Sequence, residues 1–164
     1  MHVYNLRCEM RVRRPISEVF RFFEDARNLA RITPEWLKFT VLTEAPLVMR
    51  AGLEIEYKIR LWGIPLGWKS AITVYEPPLR FVDEQVKGPY RYWRHSHEFR
   101  SEGDSTLVID SVDYALALDP LSRMAHALIV RHQLRAIFKY RQTALSRIFD
   151  GQTGSVLEPV IAVK

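Results

Sequence analysis

Cysteine is nearly absent from this sequence of 164 residues, in which Cys8 is the only one. A single cysteine excludes an internal disulfide and a zinc site built on several thiolates, and it suits a reducing compartment. No apolar run approaches the roughly 20 residues that a membrane-spanning helix requires. The first residues also lack the apolar segment of a secretory signal. We therefore expect a cytoplasmic protein.

Acidic residues are missing from one long segment. Residues 120–149 contain six Lys or Arg and no Asp or Glu, so this segment alone exceeds the net charge of +5 of the whole chain. Basic segments of this kind can meet nucleic acid, anionic lipid or an acidic partner. No recognised DNA- or RNA-binding motif accompanies the charge, so we expect no nucleic acid. This segment could contact a membrane surface or a partner, or it could be an ordinary charged helix face exposed to solvent, and both interpretations stay open.

Familiar catalytic signatures are lacking as well. The sequence has no Gly-rich phosphate loop, no Ser-His-Asp signature and no reactive-cysteine context. Its 48% hydrophobic and 26% charged residues are typical of a folded globular protein. The length favours one domain. We expect a single domain over residues 1–150 and a loosely ordered tail over residues 151–164, with no internal repeat; the oligomeric state stays unknown.

Alternation of apolar and polar residues predicts an antiparallel sheet with helices at both ends. Pro15 and the spacing of Ile16, Val19, Phe20 and Phe23 predict a first helix. A second short helix, ARNLARI, follows Asp25, and a long helix is expected over residues 120–149. Strands separated by short connections are predicted at residues 3–13, 37–43, 53–62, 67–76, 79–86, 90–99 and 105–118.

This order of elements resembles the helix-grip fold of the START and birch-pollen-allergen superfamily, also called SRPBCC. The closest likeness is to bacterial polyketide cyclase/dehydrase-like and coenzyme-Q-binding-like proteins. The resemblance is carried by RRPISEVFRFFEDARNLARITPEWL (13–37), YEPPLRFVDEQVKGPY (75–90), WRHSHEF (93–99) and LRAIFKYR (134–141). It implies an α+β fold, in which a curved antiparallel sheet of about six or seven strands wraps one long C-terminal helix. It also implies a cavity that binds a small hydrophobic molecule, such as a lipid, a quinone or a polyketide-like compound.

With that cavity taken as implied, alternation selects the side chains that face it. Most are apolar or aromatic, and a few are polar groups that could orient a ligand, as in typical ligand pockets. The predicted ligand-binding residues are Tyr57, Ile59, Trp68, Phe81, Asp83, Gln85, Trp93, His95, His97, Phe99, Tyr114, Leu134, Phe138 and Arg141. Asp110, on the strand after the histidines, is a further polar anchor.

His95 and His97 point the same way from one strand, and several interpretations stay open. With Asp83 or Asp110 they could bind a metal, but nothing fixes the third ligand, so we predict no metal and no cofactor. They could also be satisfied polar groups in a filled core. We favour polar anchors in a ligand pocket, which makes a binding protein a better prediction than an enzyme.

Acid–base catalysis by His95, His97 and Asp110 is the runner-up, as a cyclase or dehydratase would need. It depends on how the strands before and after residues 101–104 pair. A four-residue turn there would place His95 opposite Asp110 and His97 opposite Val108. A slip of one residue would turn Asp110 to the outer face and remove the contact.

Overall fold

One antiparallel sheet organises the protein. The computed structural model describes residues 2–61, 63–116, 129–149 and 153–164. Within these residues the sheet has eight strands in the order β2-β3-β4-β5-β6-β7-β1-β8. The strands are β1 (Tyr4–Val12), β2 (Thr40–Val41), β3 (Glu54–Leu61), β4 (Ile64–Glu76), β5 (Arg80–Lys87), β6 (Tyr92–Glu102), β7 (Ser105–Ala115) and β8 (Thr153–Val163). Neighbours from β2 to β7 follow one another along the chain, as the short connections predicted.

The predicted first helix is present as α1 (Ile16–Glu24), and it buries Val19, Phe20 and Phe23. Asp25 caps the short 3-10 helix Ala26–Ile32, because its carboxylate accepts a hydrogen bond from the Arg27 backbone N–H at 3.0 Å. A second 3-10 helix, Glu35–Leu37, occupies the start of the predicted strand 37–43, of which only β2 is formed. The region between β1 and β3 is therefore more helical than the sequence predicted.

The long C-terminal helix is described as α2 (Arg131–Ile148). The first part of the predicted helix 120–149, including Arg123, and the end of the predicted strand 105–118 lie outside the described residues. Two basic residues of α2 contact the following strand, because Arg135 Nε donates to the Pro159 carbonyl at 3.1 Å and Lys139 Nζ lies 3.3 Å from a Glu158 carboxylate oxygen. Part of the basic face thus has partners within the chain, and membrane contact through it stays a prediction.

The structure differs from the prediction made for the C-terminal tail. Residues 151–164 were expected to be loosely ordered, yet β8 pairs antiparallel with β1 along its length. Ile161 is buried in the same apolar cluster as Tyr4 and Leu6. Burial of this side chain and pairing of the exposed edge of β1 together stabilise the tail. The sheet gains a strand beyond the six or seven expected.

The pairing register of the β6–β7 hairpin differs from the predicted register by two residues. The strands continue through Ser101 and Glu102, so the turn is Gly103-Asp104, with Gly103 at a φ of +67° that favours glycine. His97 therefore lies opposite Asp110, whereas the four-residue turn would have placed His95 there. Because a shift of two keeps every side chain on its face, Asp110 still points to the same side of the sheet as both histidines.

Two apolar clusters fill the space between the sheet and the helices. One joins α1 and the end of α2 to β5–β7, and includes Phe20, Phe81 and Phe99. The other joins β1, β4, β6 and β7 to the start of α2, and includes Trp68 and Trp93. No helix among the residues that the structure describes is long and apolar enough to cross a membrane. The cytoplasmic location stays a prediction.

Candidate functional site

A cavity of about 210 Å³ lies where the implied ligand site was expected. Its walls come from β3–β6, from the segment of α1 and the 3-10 helices, and from α2. Apolar and aromatic side chains dominate, and the polar side chains lie among them. Eleven of the predicted ligand-binding residues line it, namely Tyr57, Ile59, Trp68, Phe81, Asp83, Trp93, His95, His97, Leu134, Phe138 and Arg141.

Three residues that were predicted to line the cavity do not line it and instead contact other parts of the protein. Gln85 closes the turn between β5 and β6, because its Nε2 donates to the Tyr90 carbonyl at 2.7 Å and its Oε1 accepts from the Tyr90 N–H at 3.2 Å. Phe99 packs edge-on against Phe20 and Phe23. Tyr114 is fully buried against Tyr4 and Trp93. Gln85 lies opposite Ser70, a cavity residue, but its amide is engaged by the turn.

Sequence reasoning missed the wall contributed by the end of α1, the 3-10 helices and the segment that follows them. Additional lining residues are Phe22, Phe23, Ala26, Asn28, Leu29, Ile32, Thr33, Leu37, Phe39, Met49, Ile55, Leu61, Ser70, Ile72, Pro89, Tyr90, Gln133 and Ile137. The spacing of Leu29 and Ile32 within ARNLARI is the signal that could have found part of this wall. Nothing else in the sequence indicated that these residues cover the cavity, since that depends on how far the sheet curves.

The polar side chains of the site converge because adjacent strands place them on one face. Asp83 on β5 lies opposite His95 on β6, and His97 on β6 lies opposite Asp110 on β7. Arg141 reaches the same point from α2 across the interior. All five side chains are largely buried, and we call them the polar cluster.

The two imidazoles lie between the two carboxylates. Their ring centroids are 3.7 Å apart, with 37° between the ring planes. On one side, His95 Nε2 and His97 Nδ1 lie 2.9 and 3.1 Å from Asp110 Oδ1. On the other side, His97 Nε2 and His95 Nδ1 lie 2.9 and 3.7 Å from Asp83 Oδ2. The predicted His95–Asp110 contact is thus present, as a diagonal contact rather than between directly opposed residues.

Arg141 supplies a permanent positive charge beside Asp110. Its Nε is 3.1 Å from Asp110 Oδ2, an ion-pair contact that is not aligned as a hydrogen bond, and its Nη2 is 3.2 Å from His97 Nδ1. The guanidinium also lies over the ring of Phe23, 5.1 Å from its centroid. A buried guanidinium with such partners stabilises a buried carboxylate that would otherwise be costly.

The ionisation of the carboxylates follows from these contacts. Burial raises the pKa of Asp110, but Arg141 and then the two histidines outweigh it and hold that pKa well below its usual value. Burial likewise raises the pKa of Asp83, and the hydrogen bond from His97 with the nearby positive charges brings it below the usual value. Both carboxylates are therefore ionised at neutral pH.

The pKa values of the two histidines are shifted in opposite directions. Burial, together with the neighbouring His97, lowers the pKa of His95 to about 4, although Asp110 and Asp83 oppose this shift. Burial also lowers the pKa of His97, but its contacts with Asp110 and Asp83 outweigh burial and raise it. A neutral His95 carries its proton on Nε2, because ionised Asp110 can only accept. Its Nδ1 then remains a hydrogen-bond acceptor at the cavity wall.

A second polar group lies farther along the cavity wall. Trp68 Nε1 donates to Ser70 Oγ at 3.1 Å, and the Tyr57 hydroxyl and Ser70 Oγ share a hydrogen bond of 2.9 Å. The rings of Tyr57 and Trp68 stack with 5.8 Å between centroids. This wall is aromatic and internally hydrogen-bonded, so it offers ring surface for contact with an apolar or aromatic ligand.

The architecture is the helix-grip fold, in which an antiparallel sheet packs against one long C-terminal helix. The chain belongs to the family described as polyketide cyclase / dehydrase and lipid transport, whose sequence pattern matches residues 12–138. No curated protein sequence matches the chain. The resemblance seen in the sequence is confirmed at the level of family and fold.

Several solved structures share this fold at low sequence identity. The aromatase/cyclase Zhui from Streptomyces sp. R1128 is 16% identical, with a TM-score of 0.64 over 90% of this chain and 96% of that chain. A START superfamily protein from Mycobacterium smegmatis is 14% identical, with a TM-score of 0.62 over 90% and 99%. The major latex-like protein 151 of Panax ginseng is 13% identical, with a TM-score of 0.58 over 92% and 97%. At these identities the likeness extends to the fold alone.

Proposed function

We propose that the protein binds a small hydrophobic molecule in the cavity and that the polar cluster orients a polar group of this ligand. The observation that carries the proposal is the composition of the walls, which are apolar and aromatic except for a few buried polar side chains on one side. Natural ligand pockets combine these two features, since apolar walls supply affinity and the polar groups supply orientation. The family and its aromatase/cyclase relative support the same conclusion.

The polar cluster favours a neutral ligand that carries a hydroxyl group. His95 Nδ1 accepts a hydrogen bond from such a group, and Asp83 beside it is a second acceptor. A carboxylate head group would instead face an ionised, buried Asp83 and be repelled. Together with the stacked rings of Tyr57 and Trp68, this favours a hydroxylated aromatic, quinol-like or polyketide-like ligand over a fatty acid.

The proposal is tested by filling the cavity with a larger side chain and measuring whether a bound molecule still co-purifies with the protein. Native mass spectrometry of the protein purified without a tag is expected to show the chain with a bound hydrophobic molecule, which solvent extraction then identifies. Ile59→Trp adds bulk inside the cavity and is expected to remove this species. Lys58→Trp, which places the same ring on the outer face of β3, is expected to keep it. The bare chain alone in the wild-type sample, or equal retention by both variants, would contradict the proposal.

A cyclase or dehydratase activity is the second candidate, and the state of His95 is what favours it. A neutral imidazole whose proton is fixed on Nε2 presents Nδ1 as a base toward the cavity. In a ring closure, Nδ1 would take a proton from a carbon between two carbonyls. That carbon would then bond to a second carbonyl carbon, and the proton would pass to the new alkoxide.

Turnover of a linear poly-β-ketone thioester, followed by liquid chromatography, separates the two candidates. The catalytic proposal expects the wild type to form the cyclic product and His95→Ala to lose it by more than about 100-fold, since a general base typically contributes that much or more. Circular dichroism would check that the variant is folded. Normal turnover by folded His95→Ala would exclude His95 as the base.

A further inference from the structure

Three ligating atoms converge on the cavity side of the polar cluster. Asp83 Oδ2 lies 2.9 Å from His97 Nε2 and 3.7 Å from His95 Nδ1, and the three side chains offer ligand atoms that all lie within 4.8 Å of one another. We propose that Asp83, His95 and His97 bind a divalent transition-metal ion such as Zn²⁺, Co²⁺ or Fe²⁺. The sequence could not place the third ligand, and the structure does so.

The spacing of these atoms fits one ion. Zinc bonds to nitrogen and oxygen are about 2.0–2.2 Å long, so adjacent ligands of a tetrahedral ion are roughly 3.3 Å apart. The two distances from Asp83 Oδ2 bracket this value. All three ligand atoms lie within 4.8 Å of one another, so side-chain rotations without a backbone change would bring them around one metal ion. Two imidazoles with one carboxylate suit Zn²⁺ or Fe²⁺ far better than Mg²⁺ or Ca²⁺, which prefer oxygen ligands.

Asp110 contacts both rings on the side away from Asp83. Its Oδ1 accepts a hydrogen bond from His95 Nε2 at 2.9 Å and lies 3.1 Å from His97 Nδ1, which Arg141 Nη2 also faces at 3.2 Å. Ligating histidines in proteins usually donate their second N–H to such a carboxylate, which fixes the ring and strengthens the ligand. Arg141 in turn pairs with Asp110 Oδ2. An outer shell of this kind is already in place around the three inner atoms.

The charge of the polar cluster also favours a cation. With both imidazoles neutral, Asp83 and Asp110 carry two negative charges against the single positive charge of Arg141. This excess lies in a buried position, where uncompensated charge is costly. A cation bound beside Asp83 would compensate it.

The remaining coordination positions would face the cavity. Asp83, His95 and His97 all line the cavity, so an ion there would be open to water or to a ligand oxygen. This arrangement is that of a metal site able to bind or polarise a small molecule, rather than of a closed structural site. The inference goes beyond the proposed function, because in the metal-bound protein the oxygen of a ligand would meet the ion in place of His95 Nδ1. Metal binding can be measured in the absence of any organic ligand, so the two proposals are tested separately.

Titration of the untagged, chelator-treated protein with CoCl₂ tests the site directly. Co²⁺ in a site with nitrogen ligands is expected to give visible absorption bands with one equivalent bound, and Zn²⁺ is expected to displace it. Asp83→Asn and His95→Ala each remove a ligand, and we expect them to weaken binding by more than about 100-fold. Asp110→Asn keeps the three ligands and is expected to weaken binding by roughly 10- to 100-fold, the usual effect of losing an outer partner.

Two controls exclude binding elsewhere. Glu84→Gln removes the neighbouring carboxylate on the other face of β5, where it pairs with Arg94, and His132→Ala removes a histidine at the start of α2. Both are expected to bind Co²⁺ as the wild type does. The absence of visible bands, or binding that survives in folded Asp83→Asn and His95→Ala, would overturn the proposal. If the wild type binds no Co²⁺ but still carries a hydrophobic molecule, the metal proposal fails and the proposed function stands.

Discussion

At the scale of single residues, Asp110 is the group that holds the polar cluster together. One of its oxygens contacts both histidines and the other contacts Arg141. The carboxylate is buried, so its charge has little solvent to stabilise it and depends on these three partners. We therefore expect the loss of one partner to cost far more than the loss of an ion pair at the surface.

Arg141→Leu tests this dependence. Breaking a buried ion pair by removing one partner typically costs about 3–5 kcal/mol, and we expect a loss of that size in the free energy of unfolding, measured with urea. Arg100→Leu removes an exposed guanidinium paired with Glu98, and its effect is expected to stay within about 0.5 kcal/mol. In an Asp110→Asn background, Arg141→Leu should cost less than half as much. Equal costs in both backgrounds would show that Arg141 stabilises the protein independently of Asp110.

Part of this cluster could be predicted from sequence. Two histidines two residues apart on a strand must share a face, and alternation placed Asp83 and Asp110 on that face as well. The exact partners could not be predicted, because they depend on whether residues 101–102 belong to the turn or to the strands. Arg141 was predicted as a cavity residue, but its pairing with Asp110 depends on how α2 crosses the sheet.

At the scale of elements, β8 is the largest departure from expectation. The tail VLEPVIAV is apolar at most positions on both faces, so alternation does not distinguish the buried face from the exposed one. Pro159 also weakens a strand prediction, although proline is tolerated on an edge strand such as this one. The sequence therefore gave little reason to expect a strand that completes the sheet beside β1.

Neighbouring side chains of β8 provide a matched test. Ile161 is 7% exposed and Val160 is 45% exposed. Ile161→Ala is expected to lower the free energy of unfolding by about 2–4 kcal/mol, because it removes buried methylene and methyl groups. Val160→Ala is expected to change it by no more than about 0.5 kcal/mol. If chemical denaturation gave small, equal changes for both, the strand would not be packed on the sheet.

At the scale of the whole molecule, the cavity lies between the sheet, α2 and the short N-terminal helices. The element order was enough to predict this architecture, and the family pattern and solved relatives confirm it. The volume of the cavity and the contribution of the short N-terminal helices were beyond prediction. Both depend on sheet curvature, which arises from twist and strand irregularities spread over many residues.

The central claim is that this cavity binds a planar hydrophobic molecule and that the polar cluster recognises its hydroxyl group. Isothermal titration of the protein with 2-naphthol and with its methyl ether, 2-methoxynaphthalene, tests the claim most directly. The two ligands share the aromatic rings, but only the naphthol can donate a hydrogen bond to His95 Nδ1. We predict saturable binding in which the naphthol is bound roughly 10-fold more tightly, the equivalent of about one hydrogen bond. Equal affinities, or no saturable binding of either compound, would contradict the account.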